Sequence, residues 1–153
     1  MMKNYKVCVI SDSHGSKQKL GNLIFDGDFD YIFFLGDGLK DVEDIKDDKI
    51  KKVSGNCDLF SMEDSTISFV LNNVKILLTH GHLFNVKWGL NKLLEYAKKQ
   101  RINLVCFGHT HKQFLQIAGG VTLLNPGSFK DGKYAVLNIK TDGSFGIDFK
   151  DYD

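Results

Sequence analysis

Five apolar runs of strand length punctuate the sequence, and each gives way to a glycine set close to Asp, Asn or His. The runs are YKVCVIS (5–11), YIFFLG (31–36), IKKVSG (50–55), VKILLTH (74–80) and NLVCFGH (103–109). Their β-branched and aromatic content predicts strands. Between them, SKQKLGNLIF (16–25) and LKDVEDI (39–45) predict short helices, and VKWGLNKLLEYAKKQ (86–100) predicts a longer one. In the longer helix Val86, Leu90, Leu93, Leu94 and Ala97 share one stripe, with Asn85 as the expected N-cap. TISFVL (66–71) and VKILL meet at Asn72-Asn73, a pair suited to a two-residue hairpin turn because asparagine tolerates positive φ. VTLLNPGSF, KYAVLNI and GSFGIDF add three strand candidates separated by glycine-rich turns. The order predicts βαβ units followed by returning antiparallel strands, an α/β fold with helices covering packed sheets.

Composition narrows the function classes. The chain has 153 residues, 42% of them hydrophobic, which fits one globular domain over 1–153 with a sizeable core. Lys plus Arg (20) nearly balances Asp plus Glu (19), so no overall positive field argues for a general nucleic-acid binder. The N-terminal apolar stretch is shorter than a signal-peptide core and no run reaches membrane-spanning length, so the expectation is a cytoplasmic protein without membrane contact. Cys8, Cys57 and Cys106 are widely spaced with no Cys-x-x-Cys pair and read as reduced thiols. The acidic cluster DVEDIKDD (41–48) reads as a solvated helix end.

All five histidines stand at or just past the ends of apolar runs: His14, His80, His82, His109 and His111. Asp12, Asp37, Asn56 and Asp58 occupy matching positions, accompanied by Gly15, Gly36, Gly55, Gly81 and Gly108. Taken singly, an Asp-x-His or a lone Asp reads as a turn or a cap. Ligands of α/β sheets gather outside the carboxyl ends of the strands, however, and many polar groups desolvated together need a shared partner. A metal centre supplies one. Imidazole with carboxylate and amide oxygen suits Mn, Fe, Zn, Co or Ni better than calcium, and two ions use so many ligands economically.

At these residues the sequence resembles the calcineurin-like metallophosphoesterases, in particular their small bacterial and archaeal phosphodiesterase branch. Asp12-Ser13-His14, Gly36-Asp37, Gly55-Asn56, His80-Gly81-His82 and Gly108-His109-Thr110-His111 match the family's five blocks in order. The resemblance implies a four-layer α-β-β-α sandwich of two mixed sheets. It also implies that Asp12, His14 and His111 hold one divalent ion and Asn56, His80 and His109 another, with Asp37 bridging. Manganese is the first candidate, with nickel, zinc, iron and cobalt behind it.

Cys57 departs from the pattern, since many members carry a histidine directly after the asparagine to assist the leaving group. Cysteine is a poorer general acid, which shifts catalysis toward the metals. Asn56, Cys57 and His82 are the candidates for contact with substrate. No inserted cap fits in so short a chain, so the expected substrate is a small phosphodiester in an open site. A nucleic-acid substrate is disfavoured by the absence of a basic stripe with interleaved aromatics. Phe60, Phe84 and Trp88 are rim candidates for stacking a base, set against core or oligomer roles; apolar residues on the 86–100 helix raise the prospect of a homodimer. The alternative function is a non-catalytic interaction scaffold, a use the same fold has in a eukaryotic retromer subunit whose metal ligands are degraded.

Overall fold

The computed structural model describes residues 3–152. Within these residues ten strands form two five-stranded mixed sheets. The first sheet has the order β10-β9-β1-β2-β3, from β1 (Tyr5–Ile10), β2 (Tyr31–Phe34), β3 (Ile50–Lys52), β9 (Lys133–Ile139) and β10 (Phe145–Asp151). The second has the order β4-β5-β6-β8-β7, from β4 (Thr66–Leu71), β5 (Val74–Thr79), β6 (Leu104–Phe107), β7 (Gln113–Ala118) and β8 (Val121–Pro126). Each sheet carries three parallel strands, β1, β2 and β3 in one, with antiparallel β9 and β10 beyond β1, and β5, β6 and β8 in the other, with antiparallel β4 and β7 at its two edges.

Residue alternation along the parallel strands sorts the core into three seams. Val7 and Val9 of β1, Ile76 and Leu78 of β5, and Leu104 and Cys106 of β6 pack between the sheets. Their neighbours Cys8 and Ile10 face helix α1 (Lys17–Gly27), meeting Leu20 and Leu23. On the far side Leu77, Val105 and Phe107 meet Leu93 and Ala97 of helix α2 (Asn91–Lys99). Both faces of β1, β2, β5, β6 and β8 are therefore buried, which is why these strands read as apolar runs, whereas the edge strand β3 buries only Ile50 and leaves Lys51 and Lys52 half-buried. The result is the α-β-β-α sandwich that the resemblance implied.

Several local expectations change. The stretch at 39–45 forms only a 3-10 turn, Leu39–Val42. The 86–100 helix is split: a 3-10 turn (Val86–Trp88) is followed by Gly89 at φ 129°, and α2 begins at Asn91. A residue in that conformation cannot continue a right-handed helix, so the glycine stops the turn that the apolar stripe alone would extend. Asn85 caps nothing with its side chain; it has left-handed backbone between two 3-10 turns. Strand β7 was not anticipated, because Leu115 and Ile117 are exposed on a sheet edge and its pattern lacks alternation. The Asn72-Asn73 hairpin is present, with φ of 49° and 64° and Leu71 paired to Val74. Among the described residues no helix is long and apolar enough to cross a membrane.

Candidate metal centre

Parallel strands of both sheets end at one rim. Asp12 and His14 follow β1, Asp37 follows β2, Asn56 follows β3, His80 follows β5, and His109 and His111 follow β6. Five of these residues hold left-handed backbone: Asp12 (φ 54°), His14 (42°), Asp37 (62°), His109 (72°) and His111 (64°). Such a conformation costs on the order of 1 kcal/mol per residue and persists only where its surroundings enforce it.

Two carboxylates outside the predicted ligand set do much of the enforcing. Asp58 Oδ2 accepts the N–H groups of Asp37 and Gly55, each at 2.7 Å, while Oδ1 accepts those of Gly38 (2.8 Å) and Leu39 (3.0 Å). One side chain thus bolts the loop after β2 to the loop after β3. Asp41 Oδ2 accepts the Ser13 hydroxyl at 2.5 Å and the N–H groups of Gly15 (2.9 Å) and Ser16 (3.2 Å). The expectation that 41–48 is simply a solvated end is therefore corrected at its first residue: Asp41 is buried because it shapes the loop that carries His14. In the second sheet the buried Asn125 donates to Gly108 O and to Thr110 Oγ1, fixing the His109–His111 loop. Ser128 donates its hydroxyl to Asp12 O and so spans the sheets. Gly36, at φ 100°, has no room for a side chain: a Cβ there would lie 2.6 Å from Gly55 N and 3.0 Å from His80 Nδ1.

The side chains form groups of metal-competent atoms. One joins Asp12, His14 and His111; a second joins Asp37, His80 and His109; a third joins His14, Asp37 and Cys57. Within each group the donor atoms lie within 4.8 Å of one another. Asp12 Oδ2 accepts from the Ser11 hydroxyl (2.5 Å) and His109 N–H (3.1 Å). Asp12 Oδ1, fully buried, has Nε2 of His111 at 3.2 Å, of His14 at 3.6 Å and of His80 at 3.7 Å, yet none is aligned as a hydrogen bond. His14 Nε2 is also buried and unpartnered. Orphaned carboxylate and imidazole atoms aimed at one another call for a cation between them. The donor set fits divalent transition ions.

His80 donates from Nδ1 to Leu35 O at 2.7 Å, which turns Nε2 toward the site, 3.2 Å from Asp37 Oδ2 and 3.1 Å from His109 Nδ1. A backbone partner on the far nitrogen is how metal-ligating histidines are commonly oriented. Desolvation pushes the Asp37 pKa up, but the His80 hydrogen bond and charge, with the Cys57 N–H, outweigh it and hold the carboxyl well below its ordinary range. Desolvation likewise opposes the charged form of His80, yet the Asp37 hydrogen bond and the Asp12 and Asp37 charges raise its pKa. His109 moves the other way, lowered to about 4 by desolvation first and then by the His80 and Lys87 charges. Without metal, these shifts favour a charged His80 against Asp37 and a neutral His109 beside it.

Asn56 and Cys57 are exposed, and the Asn56 amide donates to Cys57 Sγ at 3.6 Å. Burial, then the Asp37 charge, raises the Cys57 pKa, so the thiol keeps its proton at neutral pH. His82 sets its ring, tilted, 5.5 Å from that of His80 and 6.2 Å from that of His109, with a buried, unpartnered Nδ1. Its pKa is lowered by desolvation and by the His80 charge. Of the rim aromatics, Phe84 packs against Tyr96 in the seam under α2, whereas Phe60 and Trp88 are 99% and 92% exposed.

Two mixed sheets packed face to face, with carboxylates and imidazoles converging past their parallel strands, define an α/β protein built around a metal-competent rim. The chain belongs to the calcineurin-like phosphoesterase superfamily, whose domain model matches residues 5–142. The probable metallophosphoesterase YsnB of Bacillus subtilis is 28% identical over 146 residues, covering 90% of this chain and 86% of its own. A conserved uncharacterized protein of Streptococcus pneumoniae, titled a predicted phosphoesterase, superposes with a TM-score of 0.84 at 28% identity, over 100% of this chain and 92% of that one. A structure titled as a novel archaeal phosphodiesterase shares the fold, with a TM-score of 0.70 at 19% identity over 95% and 99% of the two chains.

Proposed function

We propose that the protein is a binuclear-metal-dependent phosphodiesterase that hydrolyses small phosphodiesters. Asp12, His14 and His111 would hold one divalent ion and Asn56, His80 and His109 the other, with Asp37 serving both, and manganese is the first metal to test. The observation that carries this reading is the buried, unpartnered Asp12 Oδ1 ringed by three imidazole nitrogens next to the Asp37–His80–His109 group. Bound there, two divalent ions would supply Lewis-acid stabilisation of phosphoryl oxygens and lower the pKa of water.

The chain's own groups have distinct tasks. His80, fixed through Leu35 O, keeps its donor atom aimed inward without rearrangement. His82, neutral at neutral pH, offers a hydrogen bond to a phosphoryl oxygen rather than a full charge. Cys57 retains its proton and is oriented by Asn56, which makes it a weak donor toward the ester oxygens. The exposure of Asn56, Cys57 and His111 supports an open site, and an open site favours a diester with groups on both sides of phosphorus. The archaeal phosphodiesterase that shares the fold supports the same choice.

The test is hydrolysis of bis(4-nitrophenyl) phosphate and 4-nitrophenyl phosphate by chelator-stripped protein, with Mn²⁺, Ni²⁺, Zn²⁺ or Mg²⁺ restored singly. Metal-dependent cleavage with the diester preferred is expected. Two bound ions per chain with no turnover of either compound would end the enzymatic reading.

A further inference from the structure

A groove of about 480 Å³ opens beside the metal-competent rim, within the roughly 300–1,000 Å³ range of small-molecule sites. Its floor is apolar, formed by Val86, Leu90, Phe107 and Phe114. The two phenylalanine rings meet edge to face, 6.2 Å between centroids. Lys87 and Lys112 line it as well, both exposed. Among the described residues neither lysine has a carboxylate within ion-pair distance, unlike Lys3, Lys17, Lys52 and Lys133.

The groove adjoins the centre through the chain itself. Thr110, in its wall, sits between His109 and His111, and Asn125 pins its hydroxyl at 3.0 Å. Lys112 directly follows His111, and Phe107 ends the strand that leads to His109. Lys87 is close enough for its charge to contribute, after desolvation and His80, to the low pKa of His109.

We propose that this groove is a specificity subsite of the phosphodiesterase, holding one half of the diester and selecting an aromatic group that bears a further negative charge, the chemistry of a nucleotide. The inference rests on the phosphodiesterase reading above. An aromatic ring is matched by the phenylalanine and aliphatic floor. The two ammonium groups, having no internal partner to give up, are matched by an additional phosphate. A purely apolar half leaves the lysines without counter-charge, and a purely ionic half leaves the floor wet. In the reaction the oxygen of water bonds to phosphorus, the ester P–O bond breaks, and the departing oxygen takes up a proton; the half in the groove is held throughout.

Two measurements test this. The first is chemical-shift mapping of adenosine monophosphate on ¹⁵N-labelled, metal-free protein. Shifts are expected at Lys87, Leu90, Thr110 and Lys112, with binding weakened at least tenfold by the double charge reversal K87E/K112E. Ribose 5-phosphate, which lacks the ring, is expected to bind at least tenfold more weakly than adenosine monophosphate. The second is the ratio of kcat/KM for a dinucleotide with a terminal phosphate to that for the same dinucleotide without one. The expected ratio is at least ten in the unmodified enzyme, close to one or below in K87E/K112E, and unchanged in K140E/K150E, two exposed lysines outside the groove. Shifts elsewhere, equal binding of the ringless sugar phosphate, or a preference that survives K87E/K112E would overturn the subsite. Failure to hydrolyse any diester overturns the underlying phosphodiesterase reading instead, and the adenosine monophosphate map then decides the groove alone.

Discussion

The two sheets reach the rim through the same arrangement of three parallel strands but bring different chemistry. The first contributes Asp12, His14, Asp37 and Asn56, a mainly oxygen-donor set; the second contributes His80, His109 and His111, all nitrogen donors. Their supports differ as well. In the first sheet the loops are bolted by carboxylates that accept several N–H groups each, Asp58 and Asp41. The second sheet's ligands are held by a neutral amide of their own sheet, Asn125, and by the carbonyl of Leu35, which reaches His80 from the end of β2 in the first sheet. An ion held at this rim therefore joins two sheets as well as its ligands. Charge neutralisation falls to one sheet and directional nitrogen donation to the other.

The severest way to break this division is at Asp37, whose Oδ2 lies 3.2 Å from His80 Nε2 and 4.0 Å from His14 Nε2. Asp37→Ala is expected to lose two-metal loading and lower kcat/KM roughly 10³-fold; elemental analysis and diester turnover measure this, and a variant with two ions and full rate would refute the assignment. Next come the supports. Asp58→Ala strands four N–H groups and is expected to destabilise the protein by about 3 kcal/mol, against about 1–2 kcal/mol for Asn125→Ala. Urea unfolding with equal costs for the two would remove the distinction between a charged and a neutral bolt.

Smaller effects sharpen the comparison. Loss of His109 is expected to weaken one metal site by about 10–100-fold while the other loads nearly normally, with His14→Ala giving the reverse pattern; calorimetric titration separates the two. The smallest effect is protonic. The raised pKa of His80 means that metal uptake at neutral pH releases up to about one proton and strengthens with rising pH; equal heats in buffers of different ionisation enthalpy would contradict this. The sign for the metal-free fold is the opposite. Stability from the His80–Asp37 pair is fullest between the ordinary carboxylate pKa of about 4 and the ordinary imidazole pKa of about 6.5. It fades above that window as His80 loses its proton, and below it as Asp37 gains one.

The convergence of the proposed ligand residues was legible in sequence because each follows an apolar run whose end marks one rim of an α/β sheet. The paired strands around Asn72-Asn73 were legible for an equally local reason, a turn that needs two positive φ angles. Asp58 was visible only as one more short polar residue, since its acceptor role joins loops some 20 positions apart in the chain. Asp41 was misread for the same reason: its partners are 25 to 28 residues away and its neighbours are solvated acids. Gly89 was present in the sequence but outvoted by the apolar stripe around it. The groove carrying Lys87 and Lys112 required the fold, because its walls come from segments on either side of α2 and β6.

The left-handed backbone at Asp12, His14, Asp37, His109 and His111 has a consequence for how such a site drifts. Glycine adopts that conformation without strain, and aspartate, asparagine and histidine are the side-chain-bearing residues most often found there. In the genetic code an aspartate codon lies one base change from asparagine, glycine and histidine alike. Random substitution at the carboxylate positions therefore alters the charge and donor atoms of the centre while sparing the backbone that presents them. The choice of ion is open to stepwise evolutionary retuning on a scaffold that does not have to refold at each step.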